Sequence, residues 1–430
     1  MGEEKELFIS LFDIIFSITS TMDLIKPELT LHSQRVAYIS FSIGRLLGLP
    51  WEKIYELVLS GLLHDLGVIS YKDTKFLKYF ESDIENGNSY KHAFITYYLL
   101  KDSTYLENIA RYIKFHRVNW NFGKGREFNR EEVPIESHIL HLADRIEVLI
   151  NDDENILSQR GRILKKIKEN SNKMFVPYLV EAFYELAEKE YFWFDLSSKN
   201  LPNIITKKTM KEDKKLNIRD FEELSEILAR LIDFKSPFTS IHSKTVSKIS
   251  EVIGNYLNYP QEKLTHLRIA GLLHDIGKIS IPSEILEKKA PLNNEEWYII
   301  RSHPYNTHKI LDNIKGLENI RDWTSFHHER YDGNGYPFHL RDDEIPEEAQ
   351  VIAIADILTA LSEDRPYRKA LSPKEILLIT EEHIKGGVNE YLFRRLMEII
   401  KEVTLEINKH LLSSKEEYEK FRSYLRSLDN

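Results

Sequence analysis

The chain of 430 residues is 42% hydrophobic and 30% charged, with 14 prolines and 17 glycines, the balance of a folded protein of more than one domain. A formal charge of −9 excludes general attraction to polyanions, so no polymeric nucleic acid is expected as partner and a nucleotide ligand needs a local basic pocket. Cysteine is absent, which excludes disulfides and thiolate metal sites, fits a reducing cytoplasmic setting, and leaves His, Asp and Glu as metal donors.

The first apolar stretch, Leu7 to Ile25, is interrupted by Ser10, Asp13, Ser17 and Asp23 and is preceded by acidic rather than basic residues. That pattern predicts an amphipathic core helix and neither a membrane span nor a secretory signal. Next comes a series that recurs about 210 residues later. Pro27, Leu31, His32 and Ser33 return as Pro237, Ile241, His242 and Ser243, and Gly61-Leu62-Leu63-His64-Asp65 returns as Gly271-Leu272-Leu273-His274-Asp275. The interval His32 to His64 equals His242 to His274, and His92 to His116 equals His303 to His327. His116 to Asp144 differs by a single residue from His327 to Asp356. A series of matched intervals points to duplication of one unit.

The expected boundaries follow: residues 1–206 a degenerate first copy, regulatory or dimerising, 207–219 a polar linker, and 220–430 the second copy. Lys207–Arg219 carries no apolar periodicity. Around it the three-or-four spacing of apolar residues predicts helices over Phe221–Phe234, Val246–Leu257, Leu264–Leu273, Trp297–Ile314, Gln350–Leu361 and Lys374–Ile400. Asp332–Pro346 reads as loop, and no long alternating strand is seen. The fold class is therefore all-α, two tandem helical bundles.

The second copy collects His242, His274, Asp275, His303, His327, His328 and Asp356. Asp356 follows Val351-Ile352-Ala353-Ile354-Ala355, and a carboxylate in so apolar a helix is costly unless paired or coordinated to a metal. Lys278, about one turn beyond His274, can face the same site if the segment is helical, where an ammonium would meet a phosphate oxygen. Arg365 and Arg368 flank a Pro-Tyr pair and suit phosphate recognition.

These residues resemble the HD superfamily and, more narrowly, its HD-GYP branch. The resemblance runs from about Pro237 to Arg368 and rests on His274-Asp275-Ile276-Gly277-Lys278, on His303-Pro304, and above all on His327-His328-Glu329-Arg330-Tyr331-Asp332-Gly333-Asn334-Gly335-Tyr336-Pro337. It implies two tandem HD-type bundles and a site with two divalent ions, iron or manganese favoured over zinc. His242, His274, Asp275 and Asp356 would hold the first ion, with Asp275 bridging to a second held by His303, His327 and His328. A third ion, held in some members by a glutamate four residues before the first His, is not expected, because Phe238 stands there. The resemblance further implies Asp275 and Lys278 as catalytic groups, and Lys278, Tyr336, Arg365 and Arg368 as substrate contacts. The expected reaction is hydrolysis of cyclic di-GMP to linear pGpG and onward to GMP. Another cyclic dinucleotide as substrate, a catalytically silent receptor, and an oxygen-activating diiron site stand as alternatives. A homodimer and a partner docked on the Gly-Tyr-Pro loop are left open. Two departures, Thr307 for a usual glycine and Thr359 for a usual aspartate, bear on support of the ligands.

The first copy retains His32, His64, Asp65, His92, His116 and Asp144 as a candidate second metal site. Arg117 replaces the second His of the pair, Val68 replaces Lys278, and Val118-Asn119-Trp120-Asn121-Phe122-Gly123 stands where the Gly-Tyr-Pro loop would be. Metal donors thus outlast substrate contacts. Either a further metal ion or donors kept as packed residues of a structural domain is expected there, without hydrolysis of the same ligand.

Overall fold

The computed structural model describes residues 8–22, 31–67, 80, 90–209, 213–234, 241–363 and 369–428. Among them the chain is almost wholly helical, with two antiparallel pairs of two-residue strands. No described helix is long and apolar enough to cross a membrane. Two compact units are formed, one from Met1–Ile25 with Lys215–Asn430 and the other from Lys26–Lys214.

The expected boundaries need correction. Leu11–Met22 is the amphipathic helix that its pattern predicts, with Leu11, Phe12, Ile14, Ile15 and Ile18 buried. It belongs to the C-terminal unit, however, not to a first domain spanning 1–206. Ile9 pairs with Leu216 and Ser10 with Lys215 as strands, and the helix packs on His303–Asp312 and on the 3-10 turn Ile276–Ser280. The 207–219 segment is accordingly more than a linker. Leu201–Thr209 is helical, Lys215–Leu216 is the strand just named, and Asn217 caps the next helix by accepting from the backbone N–H groups of Arg219 and Asp220.

The duplication is visible helix by helix. His32–Leu46 and His242–Tyr256 each span 15 residues, Trp51–Leu63 and Gln261–Leu273 each 13, Lys91–Leu100 and His303–Asp312 each 10, and Glu107–Lys114 and Glu318–Ser325 each 8. Ile135–Val148 corresponds to Glu347–Ser362. In both units the first of these helices packs on the second and on the last. Two predicted helices are broken. Trp297–Ile314 divides into Asn294–Arg301 and His303–Asp312, because Pro304 lacks the N–H that would continue the ladder. Lys374–Ile400 divides at Gly386, which takes a φ of +79° between Pro373–Ile379 and the 38-residue helix Glu390–Ser427.

The placement of Leu11–Met22 yields a test. Leu11→Ala should cost about 2–5 kcal/mol. Hydrogen exchange should quicken in His303–Asp312 while the Lys26–Lys214 unit keeps its protection; uniform quickening in both units would contradict the assignment.

Candidate metal centre

In the C-terminal unit five helices deliver their donors to one point. His242 opens one helix, His274 and Asp275 follow the end of the next, and His303 opens a third. His327 and His328 follow Glu318–Ser325, and Asp356 lies inside Glu347–Ser362. Two groups of ligand atoms result, His242 with His274 and Asp356, and His303 with His327 and His328, the atoms of each group within 4.8 Å of one another. Asp275 stands between them: its Oδ2 is 3.4 Å from His274 Nε2 and its Oδ1 3.3 Å from His303 Nε2.

The imidazoles are oriented from behind. His274 Nδ1 lies 2.8 Å from Gly271 O, His303 Nδ1 2.7 Å from Ile300 O, and His327 Nδ1 2.5 Å from Thr324 O. A carbonyl accepts only, so each Nδ1 carries the proton and each Nε2 turns a bare lone pair inward. Burial lowers the pKa of His303, His327 and His328, the last to about 3, so all three are neutral. Burial works to raise Asp275, but the Lys278 ammonium and the His274 imidazole overcome it and hold the carboxyl well below its usual range. His274 Nε2 and Asp275 Oδ1 are buried without a hydrogen-bond partner. Neutral inward imidazoles, ionised carboxylates and buried polar atoms without partners together fit divalent metal ions.

His242 is different. Its Nε2 lies 3.0 Å from Asp356 Oδ1 and its Nδ1 3.1 Å from Glu363 Oε2. Burial opposes its charge, yet Glu363 and Asp356 prevail and raise it to about 10. Glu363 is a buried support that the sequence reading missed. It does what an aspartate at position 359 would do, from seven residues beyond Asp356 instead of three. In the first copy Glu147, three residues after Asp144, holds His32 Nδ1.

Thr307 is a second support. Its Oγ1 accepts from Gly277 N at 3.0 Å and donates to His274 O at 3.2 Å, tying the His-Asp segment to the His303 helix. A side chain at Gly277 would place its Cβ 2.0 Å from His303 O, so the two segments meet there backbone to backbone. Thr96 repeats the bond to Gly67 N at 2.8 Å.

Lys278 reaches the site from a 3-10 turn, Ile276–Ser280, with Nζ 2.5 Å from Asp275 Oδ2. Tyr336 stacks on His328 with centroids 4.9 Å apart, and the guanidinium of Arg301 lies 4.5 Å from the Tyr336 centroid. Arg301 was not singled out in the sequence; its only signal is its place two residues before His303. The loop bearing Tyr336 is organised by Glu329, whose carboxylate accepts from Phe338 N at 2.7 Å and Leu340 N at 3.0 Å. Gly335 passes so close to Glu329 that a Cβ would lie 2.4 Å from its Cα. Arg365 and Arg368 lie outside the described residues, as does Phe238.

The first copy assembles the matching groups, His32 with His64 and Asp144, and Asp65 with His92 and His116. All six residues are buried, whereas His328 and Asp356 of the second copy are partly exposed. The C-terminal centre is therefore more exposed at His328 and Asp356 than the N-terminal centre is at any of its six donors.

Family models described as HD domain match residues 226–385 and 30–149. The chain carries two HD domains. The chain is similar to 3'3'-cGAMP-specific phosphodiesterase 1 of Vibrio cholerae, 28% identical over 88% of this chain and 89% of that protein. It is similar too to 3'3'-cGAMP-specific phosphodiesterase 3 of the same organism, 27% identical over 90% and 94%. Part of the chain is also similar to the cyclic di-GMP phosphodiesterase response regulator RpfG of Xanthomonas campestris, 35% identical over 35% of this chain and 40% of that one. The crystal structure of a cyclic GMP-AMP specific phosphodiesterase of V. cholerae superposes with a TM-score of 0.62 over 92% of this chain and 98% of that one, at 24% identity, which establishes the shared fold. The chain is thus a tandem HD protein homologous to HD-GYP phosphodiesterases, and HD domains depend on metal.

The doubly bonded His242 of the second HD domain sets a pH dependence. With Glu363 retaining the Nδ1 proton, an incoming metal ion must displace the Nε2 proton. A group protonated below about 10 makes affinity rise with pH, about tenfold per unit from neutrality upward for that one proton. Glu363→Gln removes the larger of the two charges that raise His242, so fewer protons should be released per manganese bound at pH 8. Calorimetry in two buffers of different ionisation enthalpy reads that number, and an unchanged value would remove Glu363 from this role.

Proposed function

We propose that the second HD domain hydrolyses a phosphodiester bond of a cyclic dinucleotide, and that 3'3'-cyclic GMP-AMP is preferred over cyclic di-GMP. The observation that carries the hydrolytic reading is Asp275, buried between two sets of inward imidazoles with its two oxygens facing different sets. Divalent ions held there supply Lewis acidity toward the phosphate and make water available as a nucleophile near neutral pH. His242, His274, Asp275 and Asp356 would hold one ion, and Asp275, His303, His327 and His328 the other. The all-nitrogen-and-oxygen donor set suits iron or manganese.

The chain's own groups bind and orient the substrate. The Lys278 ammonium, partly exposed beside Asp275, offers a point charge to a phosphate oxygen. Tyr336 and the Arg301 guanidinium form an aromatic and cationic wall suited to a base and a phosphate. A carboxyl held well below its ordinary range is a weak base, so Asp275 would help to hold both ions rather than accept a proton. The preference for the mixed dinucleotide is supported by relatives: two named for 3'3'-cGAMP match along 88% and 90% of this chain and a third along 42%, and two named for cyclic di-GMP along 35% and 34%.

Manganese- or iron-loaded protein, purified without oxygen, should convert 3'3'-cyclic GMP-AMP to the linear dinucleotide with kcat/KM about 10-fold or more above that for cyclic di-GMP, a gap of about 1.4 kcal/mol. The reverse order would overturn the preference; binding without turnover of either would overturn hydrolysis. Lys278→Met should keep its metal and lose about 10²-fold in kcat/KM, read by chromatography beside metal analysis.

A further inference from the structure

We propose that the first HD domain is a one-metal centre in which the guanidinium of Arg117 takes the position of the second metal ion. Arg117 stands in sequence where His328 stands in the second domain, and it is among the largest fully buried side chains of the protein. Its Nε donates to His116 Nε2 at 3.1 Å, the lone pair that would otherwise face a metal ion. Its Nη2 lies 3.2 Å from Asp144 Oδ2, which also accepts from Arg145 Nη2 at 2.9 Å. The fixed cation thus spans the imidazole of one donor group and the carboxylate of the other.

At the Asp144 carboxylate the arginines engage Oδ2, and its Oδ1 stays with a second set of donors. His32 Nε2 and His64 Nε2 are 3.2 Å apart; Asp65 Oδ2 is 3.5 Å from each, and Asp144 Oδ1 is 3.7 Å from the first and 3.9 Å from the second. Ligand atoms about 2.0–2.1 Å from one ion in tetrahedral array stand about 3.4 Å apart, so these separations are those of a single coordination shell. Both oxygens of Asp65 and Oδ1 of Asp144 are buried without a hydrogen-bond partner, the state a cation would relieve. His64 Nδ1 lies 2.8 Å from Gly61 O, as its counterpart does in the second domain, and so turns Nε2 toward this set.

Burial separates the two domains in use as well. Asp144 is fully buried where its counterpart Asp356 is partly exposed, and all six donors of the first centre are buried, so its ion is structural.

The test uses the full-length chain with its C-terminal centre emptied by His242→Ala, His274→Ala, Asp275→Asn and His303→Ala, loaded with manganese, desalted, and measured for metal content and thermal unfolding. The expected result is about one manganese per chain, about two after Arg117→His, and none after His32→Ala with His64→Ala. Two ions with Arg117 in place, or none, would overturn the proposal, as would a folded Arg117→His chain that still holds one. Should Arg117→His fail to fold, His116→Ala decides: the ion is retained if the guanidinium fills the second position, and lost if His116 is a ligand. Because the emptied background has no working second domain, neither outcome depends on which dinucleotide the protein cleaves.

Discussion

A carboxylate enclosed by packed helices must meet a cation, and much of both units follows from how that demand is met at one aspartate. Asp275 and Asp65 hold the same place in the same helical frame, after the second of two matched helices. Among the described residues the side-chain cation beside Asp275 is Lys278, and the centre is partly exposed at His328 and Asp356. In the first domain two arginines lie against Asp144, and all six donors are buried. A cation delivered by the chain needs no path from solvent; an ion that must engage a substrate does. The difference in exposure is therefore tied to the difference in charge.

The helices explain why the histidines sit where they do. His64, His116, His274, His303 and His327 each place Nδ1 against the carbonyl three residues earlier, at or near the end of a helix. The last carbonyls of a helix lack intrahelical partners, so a histidine just beyond the end both satisfies one of them and fixes its own tautomer. A donor set built this way is aimed before any ion arrives. It also explains the constancy of the intervals through duplication, since changing a helix length would rotate the histidine away from its carbonyl.

That coupling made the centre legible in the sequence. Equal intervals between His32 and His64 and between His242 and His274 report equal helices, and the structure has them, 15 and 13 residues long in each unit. What the sequence concealed depends on contacts between distant segments. Leu11–Met22 shows its apolar face in one dimension, but not that the face covers His303–Asp312 on the far side of an intervening unit of sequence. Arg301 looks like the end of a helix until Tyr336 is seen beneath it. Thr307 looked like a lost glycine, yet its hydroxyl joins Gly277 to His274, and Thr96 does the same in the first copy.

Glu363 shows most clearly why a departure from a motif is not by itself a loss. The requirement at the first ligand is a carboxylate against imidazole Nδ1, which fixes the tautomer and raises the basicity of Nε2. In the first domain Glu147 meets it from the turn next to Asp144; in the second, Thr359 occupies that turn and Glu363 meets it from the helix's C-terminal edge. Position 359 is completely buried, so a carboxylate there would face the same desolvation that Glu363 faces, and only one of the two need be present. Geometry at the imidazole is what both domains hold constant, and the residue that supplies it is free to move along the helix by one turn.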